Sequence, residues 1–184
     1  MRLSHTLLAA VVTLALVGEA PKAEAQLGSL ISLGAAAGLS LPRDSFNDRA
    51  KSGYNAMLTA GLHAPMIPIS LRAEGMYNQF DYDESTTAGA LARQGGKSAS
   101  IWGFTANALV TTSAFFGPYA IGGIGYYRVN EKSPLGDFTH TNMGYNLGGG
   151  FRFALTGFSA YAEARYHWVD EGVAMIPISF GLSF

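Results

Sequence analysis

The sequence predicts an all-β protein, an eight-stranded antiparallel up-and-down β-barrel that spans a membrane. Three observations predict this fold. The last ten residues alternate apolar side chains with small or polar ones, about eight such segments follow one another, and the connections between them are alternately long and short. A two-residue period gives each strand one apolar face. Long connections at one end and short turns at the other are typical of transmembrane barrels.

Length and composition fit a single domain whose outer face meets lipid. The chain has 184 residues, and charged residues make up 14%, well below the roughly 25% of an ordinary soluble domain. The net charge is −1, so the composition does not predict nucleic-acid binding. The absence of cysteine excludes disulfides, thiolate metal sites and thiol nucleophiles, and we expect no cofactor.

The N-terminal residues have the pattern of a cleaved export signal. Arg2 precedes an apolar stretch over residues 7–17, and residues 23–25 (Ala-Glu-Ala) place small side chains at the cleavage position. The apolar stretch is shorter than the roughly 17–25 residues of a membrane-spanning helix. We therefore expect residues 1–25 to be a signal peptide and residues 26–184 to form the barrel domain.

The first four strands are predicted from alternation that stops at polar or proline-containing connections. We expect an apolar outer face made by Ile31, Leu33, Ala35, Ala37 and Leu39 in the first strand (30–41), Tyr54, Ala56, Leu58, Ala60 and Leu62 in the second (53–63), Ile69, Leu71, Ala73 and Tyr77 in the third (67–80), and Trp102, Phe104, Ala106, Ala108 and Val110 in the fourth (99–111).

The fifth strand (118–129) is ambiguous because two apolar sets compete. We assign Tyr119, Ile121, Tyr127 and Val129 to the outer face rather than Ile124 and Tyr126. The last three strands alternate cleanly, with outer residues Met143, Tyr145, Leu147, Phe151 and Phe153 in the sixth (142–153), Phe158, Ala160, Ala162, Ala164, Tyr166 and Trp168 in the seventh (158–168), and Ile176, Ile178, Phe180, Leu182 and Phe184 in the eighth (175–184).

The connections are predicted to be long after strands one, three and five, at residues 42–51, 81–98 and 130–141. They are short after strands two, four and six. The connection after strand seven is also short and fits the alternation less well. If strands six and seven form a hairpin joined by a turn at 154–157, Tyr161 is expected opposite Gly150 and Glu163 opposite Gly148.

Aromatic residues of the predicted outer face lie near strand ends, with aliphatic residues between them. The belt at one rim would contain Tyr54, Tyr77, Trp102, Tyr127, Tyr145, Tyr166 and Trp168, and the belt at the other rim Tyr119, Phe153, Phe158 and Phe184. Such belts are expected where amphipathic rings sit at headgroup depth. The alternative, a soluble sandwich or lipocalin-like binder, would place its large aromatics in mid-strand.

The whole mature chain resembles the small eight-stranded outer-membrane barrels: the OmpA transmembrane domain, OmpX and the opacity-type outer membrane protein β-barrel families. Residues 118–126 (Pro-Tyr-Ala-Ile-Gly-Gly-Ile-Gly-Tyr) and 179–184 (Ser-Phe-Gly-Leu-Ser-Phe) carry much of the resemblance. It implies a monomer in the bacterial outer membrane, in contact with membrane lipid and lipopolysaccharide. It also implies that Phe180, Leu182 and Phe184 form a signal for the barrel assembly machinery.

The inner face predicts a polar interior. We expect a network of Arg72, Glu74, Asn107, Asn146, Arg152, Glu163, Arg165 and His167, with Tyr161 and Arg128 as further candidates. An eight-stranded barrel is only wide enough to be filled by side chains, and buried charges must be paired. Because two arginines can balance two glutamates here, a polar plug is predicted. A small porin-like channel gated by the same network is the alternative.

Catalysis is not predicted. Ser159, Glu163 and His167 share a face, but eight strand positions separate Ser159 from His167 by roughly 26 Å, too far for a nucleophile and its base. No two histidines have metal-ligand spacing. The predicted function is a non-enzymatic one, in envelope structure or surface interaction.

The long connections are rich in charge. They contain Asp44, Asp48, Asp81, Asp83, Glu84 and Asp137, with Arg43, Arg49, Arg93 and Lys97 among them. One interpretation is a solvated surface. The other is an extracellular ligand, or the divalent cations of lipopolysaccharide, bound by loops on a rigid scaffold.

Overall fold

A computed structural model describes residues 30–48, 50–63, 68–82, 98–112, 116–133, 136–169 and 172–184. The predicted signal peptide and most of the third connection lie outside these residues, so the boundary at residue 26 stays a prediction. Among the described residues, no helix is both long enough and apolar enough to cross a membrane.

Eight strands form a closed antiparallel barrel, as predicted. They are β1 (Ile31–Arg43), β2 (Gly53–His63), β3 (Ile69–Asp81), β4 (Ser98–Thr111), β5 (Phe116–Ser133), β6 (Gly136–Leu155), β7 (Phe158–Val169) and β8 (Val173–Ser183). Each strand pairs with the next in sequence, and β8 pairs with β1. Closure leaves no unpaired sheet edge around the wall, which is what a barrel needs in order to cross lipid.

The outer wall is apolar and exposed. Leu58 is 70% exposed and Phe180 is 67% exposed, and most other outward side chains along the strands are Leu, Ile, Val, Ala or aromatic. A continuous apolar surface of this extent is not tolerated by a soluble monomer. The outward faces predicted for every strand except the fifth agree with the structure.

The fifth strand has the opposite orientation to the one predicted. Tyr127 is fully buried, and Tyr119, Ile121 and Val129 are buried with it, whereas Tyr126 is 60% exposed. The register explains the orientation, because Gly123 pairs with Asn107 of β4 and with Asn146 of β6, both of which face the lumen. Arg128, a candidate for the interior, accordingly lies exposed on the outer wall.

Two expectations about the connections were also wrong. The predicted loop at 130–141 is mostly strand, because β5 and β6 go on pairing with each other as far as Ser133 and Gly136. The β6–β7 turn contains only Thr156 and Gly157, and Gly157 has a φ of +88°. This tighter turn shifts the hairpin register by two positions, so that Gly150 lies opposite Glu163 rather than Tyr161.

The barrel has two distinct ends. We call the end where β1 leads into β2 the loop end, and the end where β2 meets β3 the turn end. At the loop end a 3-10 helix (Asp44–Phe46) folds over the lumen. Its Phe46 is fully buried, with its ring 4.9 Å from that of Phe80 in an edge-on contact. We call this helix, with its buried Phe46, the stopper. Because loop residues do not follow the strand period, no pattern in the sequence predicts it.

Barrel closure depends on a close approach at the β1–β8 seam, where a Cβ atom on Gly38 would overlap the carbonyl oxygen of Ile178. We expect Gly38→Ala to prevent stable closure and so to abolish the compact, fast-migrating band that folded barrels give on unboiled gels. Gly75→Ala is the matched control, because its Cβ would lie 3.5 Å from the ring of Phe104, an ordinary contact. Equal gel shifts for both variants would contradict this account of the seam.

Candidate functional site: the barrel lumen

Four charged side chains meet at the centre of the lumen. Arg72 and Glu74 come from β3, and Glu163 and Arg165 come from β7, on the opposite side of the ring of eight strands. Within β3, Nε of Arg72 lies 2.5 Å from Oε1 of Glu74, and within β7, Nε of Arg165 lies 2.8 Å from Oε1 of Glu163. Both pairs are nearly inaccessible to solvent.

The same four side chains are also paired across the lumen. Nη2 of Arg72 lies 2.5 Å from Oε2 of Glu163, and Nη1 of Arg165 lies 2.7 Å from Oε2 of Glu74. Each arginine therefore contacts both glutamates, and each glutamate contacts both arginines. We call this closed ring of alternating charge the quartet. It links opposite walls and leaves no uncompensated charge at the centre, which is the condition for burying ions.

Hydrogen bonds from neutral hydroxyl groups hold the carboxylates in place. The Tyr119 hydroxyl donates to Oε2 of Glu163 at 2.7 Å, and the Thr105 hydroxyl donates to Oε2 of Glu74 at 2.9 Å. Nη1 of Arg165 also donates to Oδ1 of Asn146 at 3.3 Å. Sequence reasoning missed Tyr119 because it placed this residue in the outer aromatic belt. The predicted interior asparagines are part of the network, since Asn146 donates to Asn107 at 2.9 Å.

Glycines of β6 make room for these long side chains. A Cβ atom on Gly148 would lie 2.7 Å from Cγ of Arg165, and one on Gly150 would lie 2.5 Å from the hydroxyl of Tyr119. Larger residues at these two positions would displace the quartet or its support. Small residues facing large ones are what a filled interior requires.

Two predicted members of the network lie elsewhere in the lumen. His167 is fully buried on the loop-end side of the quartet, and its Nδ1 lies 2.8 Å from the hydroxyl of Tyr127. Arg152 lies on the turn-end side, where it donates to Ser159 at 3.2 Å and to Nε2 of His63 at 3.4 Å. Because a guanidinium has only donors, Nε2 of His63 must be the acceptor.

A second polar cluster, which sequence reasoning missed, links β1, β2, β3 and β8 nearer the loop end. Ser40 donates to Asn78 at 2.6 Å, Asn55 donates to Ser40 at 3.3 Å, and Ser179 donates to Asn55 at 2.8 Å. The stopper lies on the loop-end side of this cluster and the quartet lies on its turn-end side. The described lumen is therefore filled along most of its length.

On the outer wall the structure corrects two members of the aromatic belt, because Tyr119 and Tyr127 face the lumen. The other nine lie on the outside: Tyr54, Tyr77, Trp102, Tyr145, Phe153, Phe158, Tyr166, Trp168 and Phe184. Several are in contact, as in the stacked rings of Tyr145 and Trp168, with centroids 5.0 Å apart. At the turn end, the ring centroid of Phe184, a residue of the predicted assembly signal, lies 6.1 Å from that of Phe158.

Comparison with solved structures shows the same fold in proteins from several bacteria. Neisserial surface protein A matches with a TM-score of 0.61 and 16% identity, over 83% of this chain and 95% of the other. A major outer membrane protein from Thermus thermophilus matches with a TM-score of 0.60 and 14% identity, over 84% and 98% of the two chains. Ail, the attachment invasion locus protein of Yersinia pestis, gives 0.52 and 16%, over 84% and 97%.

No curated protein matches this chain in sequence. The model of the outer membrane protein beta-barrel domain matches residues 7–184, which is nearly the whole chain. Together with the closed barrel and its exposed apolar wall, this match shows that the chain belongs to the outer membrane protein beta-barrel domain family and that it is an integral protein of the bacterial outer membrane.

Proposed function

We propose that this protein is a non-conducting, non-enzymatic barrel whose role is in envelope structure or surface interaction. The observation that carries the proposal is the quartet, which joins β3 to β7 across the lumen by two ion pairs with distances of 2.5 and 2.7 Å. The stopper formed by Phe46 closes the loop end above it. A solute would have to break ion pairs and displace packed side chains to cross the barrel.

The absence of catalysis is part of the proposal. The lumen offers Ser159 and His167 on one strand, eight positions apart, a separation of roughly 26 Å along the strand. The four charged side chains of the quartet are all ion-paired with one another. In the part of the chain that the structure describes, no three metal-ligating side chains are grouped.

The proposed partners follow from the outer wall. Its apolar surface and aromatic belt suit a monomer that contacts membrane lipid and lipopolysaccharide. Phe180, Leu182 and Phe184 alternate with inward positions at the end of the closing strand, where the assembly machinery would recognise them. We also propose that the loop end faces outward, where its charged loops would meet an extracellular ligand.

Conductance separates this proposal from the alternative, a small porin-like channel. We expect purified protein refolded into planar bilayers to show no discrete conductance steps, because the quartet closes the lumen. Steps that change in size or ion selectivity in Arg72→Ala or Glu163→Ala would instead establish a channel gated by this network. Arg128→Ala, on the outer wall, is the control for altered charge alone.

A further inference from the structure

The lumen has a small cavity on the turn-end side of the quartet, and most of the residues that line it are of polar types. It is lined at the rim by residues at the turn ends of several strands, including Ser32, His63 and Ser70, and it reaches inward to Arg72 and Tyr161. Its volume is about 40 Å³, room for roughly three water molecules or one small oxyanion. The stopper closes the other end of the barrel, so we expect solutes to reach this cavity only from the turn end.

The charge around this cavity is unbalanced. Arg72 and Arg165 are neutralised by the two glutamates of the quartet, whereas Arg152 forms no ion pair with any carboxylate of the described residues. Its contacts are the neutral groups of Ser159 and His63. No Asp or Glu is among the described residues that line the cavity. Because a half-buried guanidinium without a counter-charge is costly, the site favours an anion.

A tyrosine also lines this cavity. Tyr161 is 7% exposed, and its hydroxyl makes no hydrogen bond of normal geometry with the described residues, the Thr59 side chain being a more distant partner. Serine and threonine hydroxyls around the rim supply further donors. A guanidinium cation together with several hydroxyl donors is a combination that suits an oxyanion.

We propose that this cavity binds a free tetrahedral oxyanion such as inorganic phosphate or sulfate, with Arg152 as its principal ligand and Tyr161 as a second donor. A lipid phosphate shares this chemistry, but nearly all the residues that line the cavity face the lumen rather than the lipid-facing wall. The occupant is therefore a dissolved ion from the aqueous compartment at the turn end.

The test is a calorimetric titration of the folded, detergent-solubilised protein with inorganic phosphate at constant ionic strength. We expect saturable binding of one phosphate per barrel. Arg152→Gln should weaken it about tenfold or more, and Tyr161→Phe about threefold, as expected for a charged and a neutral hydrogen bond. Arg152→Lys should retain part of the affinity because it keeps the charge. Each variant is used only if it retains the gel mobility of the folded barrel.

Arg128→Gln is the matched control, since it removes the same charge from the outer wall. Unchanged affinity in Arg152→Gln, an equal loss in Arg128→Gln, or no saturable binding by the unmodified protein would overturn the proposal. A further titration contains anionic phospholipid in the micelles. Competition between this lipid and phosphate would overturn the assignment to a dissolved ion, and phosphate binding that is independent of the lipid supports it.

Discussion

Glu163→Met is expected to lower the free energy of unfolding by about 3–5 kcal/mol, the range for removing one partner from a buried ion pair. The substitution leaves Arg72 and Arg165 to share the single carboxylate of Glu74, and it deprives the Tyr119 hydroxyl of its acceptor. Urea titration of protein folded in lipid vesicles measures the change. Fluorescence can report it, because Trp102 and Trp168 are the only tryptophans and both lie on the outer wall.

Asp81→Asn is the control for that variant. It also removes one negative charge, but from an exposed side chain at the loop end. Its effect should stay within about 0.5 kcal/mol, as for ordinary surface substitutions. Equal losses in the two variants would mean that net charge, rather than the quartet, determines stability.

Tyr127→Ala is expected to cost about 3–5 kcal/mol, the range for truncating a buried aromatic residue. It would leave a cavity at the loop-end side of the lumen and remove the hydroxyl that lies 2.8 Å from Nδ1 of His167. Tyr126→Ala is the matched control, because this neighbouring tyrosine points outward. The same urea titration should give a much smaller loss for Tyr126→Ala. A larger loss for Tyr126 than for Tyr127 would restore the strand orientation first inferred from the sequence.

The strand faces could be predicted wherever one face is distinctly apolar. In β8, apolar residues such as Ile178 and Phe180 alternate with small or polar ones, so the outward side is unambiguous. In β5 both faces carry aromatic and aliphatic residues. The inward set includes Tyr127 and Val129 because the loop-end part of the lumen is itself apolar under the stopper. Phe46, Phe80 and Met175, all distant in sequence from β5, contribute to that environment, and no local pattern contains them.

The lumen itself could be predicted only in part. The residue types and the same-strand neighbours, Arg72 with Glu74 and Glu163 with Arg165, can be found from the alternation alone. To predict the contacts across the lumen, one must know how strands four positions apart are staggered when the barrel closes. The same stagger separates Arg152 from the quartet, although it shares a strand with Asn146, which is part of the network.

The most direct measurement of whether the lumen is closed by the quartet is a double-mutant cycle between Arg72 and Glu163, with Arg72→Met, Glu163→Met and both together. Removing one charge of each sign leaves Glu74 paired with Arg165. We therefore expect the double variant to be much more stable than the sum of the single losses implies, with a coupling energy of about 2 kcal/mol or more, within the range for contacting residues. Strictly additive losses would show that the two side chains do not meet, and would contradict the closed lumen.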